Sequence, residues 1–127
     1  MLARAVFEVL RADSPQAEDR LGRRYTLIIQ SNDTSHYMTI YRTGKERAAT
    51  VHANVFISLE ELLADAREKI LRRFNHGYSL TWWDEAFPFM DWINERGYRR
   101  ERRNMMPPPV QLYLPLHETP HLAVENH

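Results

Sequence analysis

The most concentrated group of side chains able to do chemistry in this sequence is a run of arginines near residue 100. Residues 96–103, the arginine run, hold five arginines and one glutamate, a local charge of +4. Like charges this close together repel each other, and folding alone gains nothing from them. Guanidinium groups match phosphate geometry and stack on nucleobases. The run predicts a DNA or RNA contact made by Arg96, Tyr98, Arg99, Arg100, Arg102 and Arg103.

The overall charge weakens this interpretation. The chain has 17 basic and 17 acidic residues, whereas proteins that bind nucleic acid usually carry a basic excess. The alternative is a solvated basic linker, or a run whose arginines pair with acidic residues of the same chain. The nearest such residues are Asp84, Glu85, Asp91 and Glu95.

A cluster of aromatic residues between positions 82 and 92 is the second unusual feature. Trp82 and Trp83 are adjacent, and on a helix they would point about 100° apart, so we expect one of them near the surface. Exposed tryptophan is typical of protein interfaces. The alternative is that the rings fill the core. The predicted protein-binding residues are Trp82, Trp83, Phe87, Met105 and Met106.

Several kinds of catalytic and metal site find no support in the sequence. The chain has no cysteine, which excludes thiolate ligands and cysteine nucleophiles. It contains no nucleophile-elbow, Walker or zinc-protease motif. His117 and His121 have the i,i+4 spacing of a zinc pair, but Pro120 opposes a helix there. We therefore predict a non-enzymatic protein with no catalytic residue, metal or cofactor.

Length and composition indicate a single globular unit. The chain has 127 residues, of which 43% are hydrophobic and 27% charged. No apolar run is long enough to span a membrane. Arg4 and Glu8 interrupt the N-terminal apolar stretch, which argues against a signal peptide. We expect a cytoplasmic protein without a membrane partner.

The first half of the chain predicts an antiparallel sheet. Residues 1–11 fit either a strand or a helix, and Phe7 and Val9 favour the strand. Short connections between consecutive strands are typical of an antiparallel meander, here of three or four strands. The loop-like stretch 13–23, with its proline and glycine, separates the first strand from the next. The three further strand segments are 25–30, 37–43 and 47–56.

Residues 58–74 predict one long amphipathic helix that covers the sheet. Ser58 is placed to cap its first turn, Ile57 and Leu62 to form a hydrophobic staple, and Gly77 to stop it. Its basic residues lie late in the helix, where the helix dipole favours them, so we interpret them as a solvated face. They are Arg67, Lys69, Arg72 and Arg73. The apolar stripe consists of Leu59, Leu62, Leu63, Ala66, Ile70, Leu71 and Phe74.

The last third predicts a Trp-rich helix and an extended arm. Proline inside a helix breaks it, so we expect a short helical turn over 81–87 and a second helix that begins at Pro88 and ends at Gly97. Three consecutive prolines at 107–109 force an extended chain. Val110, Leu112, Leu114 and Leu116 alternate after them. We expect an α+β domain over 1–104 and an extended arm over 105–127, with its last residues loosely held.

Two functional hypotheses follow from these features. The preferred one is a small adaptor or inhibitor that binds a protein partner through the aromatic and proline-rich surface, which could also join two copies of the chain. The alternative is a nucleic-acid-associated module that uses the arginine run. An enzyme without a recognisable motif ranks third.

Overall fold

The protein has an α+β fold built on one antiparallel sheet. The computed structural model describes residues 1–12, 15–44 and 47–108. Five strands and three helices lie within these residues, and the strand order is β4-β3-β2-β1-β5. In chain order the elements are β1 Leu2–Glu8, α1 Pro15–Arg20, β2 Arg24–Ser31, β3 His36–Gly44, β4 Arg47–Phe56, α2 Leu59–Asn75, β5 Ser79–Trp83 and α3 Met90–Arg96.

The first four strands form the expected meander, in which each strand pairs with the next. Ala5 of β1 lies opposite Leu27 of β2, and Leu27 lies opposite Ile40 of β3. The N-terminal segment, which the sequence left between strand and helix, is therefore a strand. The described sheet nevertheless has five strands rather than three or four, because β5 pairs with the free edge of β1 after α2.

The fifth strand corrects the prediction for the Trp-rich segment. Residues 79–83 pair antiparallel with β1 and do not form a helical turn. Aromatic and β-branched residues suit a strand, and pairing satisfies backbone groups that would otherwise be buried without partners. The pairing contains a bulge at Thr81, whose hydroxyl donates to the Glu8 carboxylate at 2.8 Å and lies 3.3 Å from the Val6 carbonyl oxygen. The following helix, α3, begins at Met90 rather than at Pro88.

Helix α2 covers one face of the sheet, close to the predicted bounds. The Ser58 hydroxyl accepts a hydrogen bond from the backbone N–H of Glu61 at 3.1 Å, and Gly77 has a φ of 88° after the helix end. The predicted staple is wrong, because Ile57 is 89% exposed. Phe56, the last residue of β4, packs against the core instead.

The core lies between this face of the sheet and helices α2 and α3. It combines alternate residues of the strands with the apolar stripe of α2. Its largest fully buried side chains include Phe7, Tyr25, Leu27, Leu62 and Ile70. Ile93 of α3 joins the same cluster. Burial of this apolar surface is what holds the helices on the sheet.

The loop predicted over 13–23 contains the short helix α1. Pro15 occupies its first position, where proline is favoured because its missing N–H would have no helical partner. Pro15 therefore marks the start of a helix and not the loop that the sequence predicts. The consequence for the site is that α1 ends at Arg20, just before the chain enters β2.

The chain after α3 returns along β5. The Leu80 N–H donates to the Arg99 carbonyl at 2.9 Å, and the Arg103 N–H donates to the Thr81 carbonyl at 2.9 Å. The part of the arm that alternates from Val110 to Leu116 lies outside the described residues. Among the described residues, no helix is both long and apolar enough to cross a membrane.

Candidate functional site

Three arginines of the run 96–103 are held by other parts of the chain. Arg103 donates to both carboxylate oxygens of Glu8, at 3.0 and 2.9 Å. Arg102 lies 4.3 Å above the ring of Trp83 and donates to the carbonyl oxygen of Trp83 at 2.7 Å. Arg100 donates to the side chain of Asn94. These contacts fasten the returning chain to β1, β5 and α3.

The remaining predicted nucleic-acid contacts are divided between the surface and the core. Arg96 and Arg99 are exposed. The ring of Tyr98 stacks on Phe74 with centroids 4.5 Å apart and an interplanar angle of 11°, so this face of the ring is already covered. Asp84, one of the acidic residues considered as a partner of the run, pairs instead with Arg4 at 2.8 Å.

The predicted aromatic surface is also largely covered. Trp82 and Trp83 point to opposite faces of β5, because neighbouring residues alternate along a strand. Trp82 is 8% exposed and lies beneath Arg4, while Trp83 is half-buried beneath Arg102. Phe87 is buried against Phe89.

The two methionines of the predicted surface lie further along the returning chain. Met105 is half-buried and its sulfur accepts a hydrogen bond from Arg24 at 3.7 Å. Met106 is 85% exposed. Met106 is thus the predicted protein-binding residue that presents the most apolar surface to solvent.

A different set of arginines comes together near the C-terminal end of helix α2. The end of α1, the start of β2, strands β3 and β4 and the last turn of α2 enclose a cleft of about 450 Å³, here called the basic cleft. It is lined by Arg20, Arg23, Arg24, Arg42, Thr43, Ala48, Thr50, His52, Arg73, His76 and Tyr78.

Arg73 lies deepest among the arginines of the cleft. Its side chain belongs to the last turn of α2, three residues after Ile70, and it is 6% exposed. The guanidinium carbon lies 4.5 Å from the ring centroid of Tyr25 and 5.2 Å from that of Tyr78. Burial lowers the pKa of Arg73, but an arginine starts so far above neutrality that it keeps its charge.

Tyr25 holds a second arginine. Arg42 lies opposite Tyr25 in the pairing of β2 and β3, so both side chains share the face that looks toward α2. Its guanidinium carbon lies 5.3 Å from the Tyr25 ring centroid. The electron-rich ring attracts both cations and offsets part of the repulsion between them. One tyrosine therefore brings together arginines that are 31 positions apart in the sequence.

The positive charge of the cleft has no internal counterion within the described residues. None of the described residues that line it is acidic. Arg24 is engaged with Glu8 at 3.7 Å, whereas no described carboxylate pairs with the other four arginines. The Nε of Arg73 and one terminal nitrogen of Arg20 are buried without a hydrogen-bond partner in this part of the chain. The four uncompensated arginines are Arg20, Arg23, Arg42 and Arg73.

The cations of the cleft also act on the histidine at its wall. His76 follows the last residue of α2 and contacts the same space. Burial lowers the pKa of His76, and the cations Arg20, Arg73 and Arg72 lower it further. His76 is therefore neutral at pH 7 and can donate or accept a hydrogen bond.

A second hollow of about 460 Å³ adjoins the basic cleft and shares Arg42 and His52 with it. Asp65 and Glu68 of α2 line this hollow, together with Lys69 and Arg72. Asp65 accepts a hydrogen bond from Lys69 at 2.7 Å. The excess of positive charge is thus confined to the first cleft.

This site was not predicted from the sequence, where Arg73 is interpreted as part of a solvated helix face, whereas the structure buries it. The signal was present, since Arg73 stands seven residues after Ala66 and three after Ile70, both of which belong to the buried stripe. A charged residue at a stripe position indicates a buried cation. The other arginines of the cleft come from separate elements, and no local spacing connects them.

Comparison of the chain with protein-family models, with curated proteins and with solved structures finds no match. The described residues include no group of three or more His, Asp or Glu side chains placed to hold a metal ion.

Proposed function

We propose that this protein is a non-enzymatic binding module that holds phosphate groups of DNA or RNA in the basic cleft. This keeps the nucleic-acid hypothesis of the sequence analysis but moves the contact from the arginine run to Arg20, Arg23, Arg42 and Arg73. The observation that supports the proposal is the convergence of these four guanidinium groups, without a described carboxylate partner, on one cleft.

The energetics of burial support an anionic ligand. Removing a cation from water is costly unless a counterion or hydrogen-bond acceptor replaces the lost hydration. Arg73 is buried, and its Nε finds no acceptor among the described residues. An anion in the cleft, which Arg73 lines, balances this buried positive charge.

The number of donors favours phosphate over carboxylate. Each guanidinium presents five N–H donors in a planar fork that matches two oxygens of an oxyanion. A carboxylate offers two oxygens and one negative charge, which is less than the donors and positive charges of four arginines can bind. Phosphate groups offer more acceptor sites, and arginine is the side chain most suited to bind them.

The test is the binding of a fluorescently labelled single-stranded oligonucleotide, followed by anisotropy as salt is raised. We expect Kd to rise about tenfold between about 50 and 200 mM salt, because two or three ionic contacts are lost to screening. An oligonucleotide of the same sequence with an uncharged peptide backbone is the matched control and should not bind. Absence of binding to the charged oligonucleotide at low salt would contradict the proposal.

A second candidate function is the protein-binding surface of the sequence analysis, now centred on Met106. This candidate is supported by the exposure of Met106, a large apolar side chain next to the exposed Pro107. Met106→Glu should abolish capture of a protein partner from a nuclease-treated lysate without changing the fold. Ile57→Glu, at another exposed apolar residue, is the matched control. Equal capture by the wild type and Met106→Glu would rule this candidate out.

A further inference from the structure

The basic cleft is bordered by carboxylates on two sides. On the side of Arg24, Glu8 accepts from Arg103 and lies 3.7 Å from Arg24. On the side of Arg42, the adjoining hollow holds Asp65 and Glu68. Arg103 balances Glu8, and Lys69 and Arg72 of the hollow balance Asp65 and Glu68. A polyanion that leaves the cleft in either of these directions therefore passes carboxylates whose charge nearby cations balance, and it meets no further excess of positive charge. The excess of positive charge is therefore confined to the basic cleft.

We infer that the cleft takes a terminal phosphate, the monoester at the end of a chain or on a nucleotide, in preference to the diester groups within a strand. This inference rests on the proposed function and names the ligand class for the same site. A strand that is bound at an internal diester must continue out of the cleft in two directions, whereas a terminal group enters once. The terminal group therefore meets fewer of the bordering carboxylates.

The charge of the ligand supports the same choice. A phosphate monoester carries about −1.5 to −2 at neutral pH, and an internal diester carries about −1. Four arginines with no described counterion, one of them buried, are better neutralised by the more highly charged group. The terminal phosphate also exposes three unsubstituted oxygens, so it can meet several guanidinium forks at once.

The aromatic residues of the cleft indicate little selection among bases. Tyr25 and Tyr78 are buried, and Arg73 packs against both rings. A nucleobase can stack only on a ring face that is free. The recognition is therefore of the phosphate group, and the base or the sugar remains at the mouth of the cleft.

The test compares two oligonucleotides of identical sequence, one with a 5′-phosphate and one with a 5′-hydroxyl, at the same salt concentration. We expect the phosphorylated form to bind about tenfold more tightly or better, since it adds charge-assisted hydrogen bonds. The gain should disappear in the double variant Arg23→Ala/Arg42→Ala and persist in Arg96→Ala, whose arginine is exposed outside the cleft.

The outcomes separate this inference from the proposed function. Equal and salt-dependent binding of both oligonucleotides would overturn the terminal-phosphate inference and leave the proposed function standing. Binding of neither would overturn both. A nucleoside monophosphate is the third ligand tested. If it competes as well as the phosphorylated oligonucleotide, a free nucleotide suffices as the source. If it competes more weakly, the end of a nucleic acid is the source, and both results support a terminal-phosphate site.

Discussion

The two groups of arginines in this protein differ in how they are arranged and in what surrounds them. Those of the run 96–103 are neighbours in sequence, yet Arg102 and Arg103 are held by Trp83 and Glu8. Those of the basic cleft are dispersed from residue 20 to residue 73, yet the fold brings them to one space, where four of the five have no described counterion. Density of charge along the chain is thus a poor guide to where charge is available for a ligand.

The difference has a physical cause. Residues close together on an extended segment cannot all face the same way, so Arg100, Arg102 and Arg103 each contact a different partner on the surface that the segment crosses. Residues from several elements can point inward to one place, and cation–π contacts with Tyr25 and Tyr78 hold them there. The run therefore attaches the returning chain to the sheet, and the cleft holds four arginines that have no carboxylate partner among the described residues.

Removing two arginines of the cleft should have the largest effect on oligonucleotide binding. The variant Arg23→Ala/Arg42→Ala should weaken binding of a 5′-phosphorylated oligonucleotide at least about 100-fold, because it removes two charge-assisted contacts of about 1.5–3 kcal/mol each. The fold should survive, since Arg42 is exposed and Arg23 is half-buried. Fluorescence anisotropy measures the affinity, and circular dichroism checks the fold. Unchanged affinity would show that the cleft is not the binding site.

Removing two arginines of the run should have the opposite result. Arg102→Ala/Arg103→Ala should lower the free energy of unfolding by about 1–2 kcal/mol, because it removes a cation–π contact and a partly exposed ion pair. Binding of the oligonucleotide should change less than about twofold. Denaturant unfolding and anisotropy measure the two effects. A large loss of affinity with unchanged stability would return the function to the run.

The smallest expected effect is the pH dependence that His76 gives to stability. Its pKa is lowered in the folded protein, so below about pH 6.5 the unfolded chain binds the proton more readily. The free energy of unfolding should therefore fall as the pH is lowered through the histidine range, until His76 is protonated in both states. Below that point this contribution stays constant.

Denaturant unfolding at several pH values tests this contribution. His76→Gln should flatten the dependence, because it removes the titrating ring. Bound sulfate, which does not titrate in this range, should reduce the effect because it compensates the cations. A dependence that survives in His76→Gln would assign the effect to another group.

The parts of the fold with a strong local pattern were predictable from sequence. Three local patterns each determine an element from neighbouring residues alone. They are the apolar stripe of α2, its Ser58 cap and the alternation of side chains in β2 to β4. Strand β5 was not predictable in this way, because its residues suit a strand or a helix locally. What decides its structure is the free edge of β1, more than 70 residues earlier in the chain.

The site was less predictable than the fold. The charge on Arg73, at a position of the buried stripe of α2, was the one local sign of it. Arg42 joins Arg73 only through the β2–β3 pairing, which places Arg42 opposite Tyr25. Arg20 is placed by α1, a helix in a stretch where the sequence predicts a loop. A site made of single residues from several elements leaves no spacing that a sequence can display.

NMR on the wild-type protein tests whether the basic cleft, and not the arginine run, binds the phosphate. A 5′-phosphorylated oligonucleotide is titrated into ¹⁵N-labelled protein, and the arginine Nε–H and histidine ring signals are followed. The account predicts that the largest shifts occur at Arg42, Arg73 and His76, with those of Arg102 and Arg103 nearly unchanged. Shifts confined to residues 96–103 would contradict it.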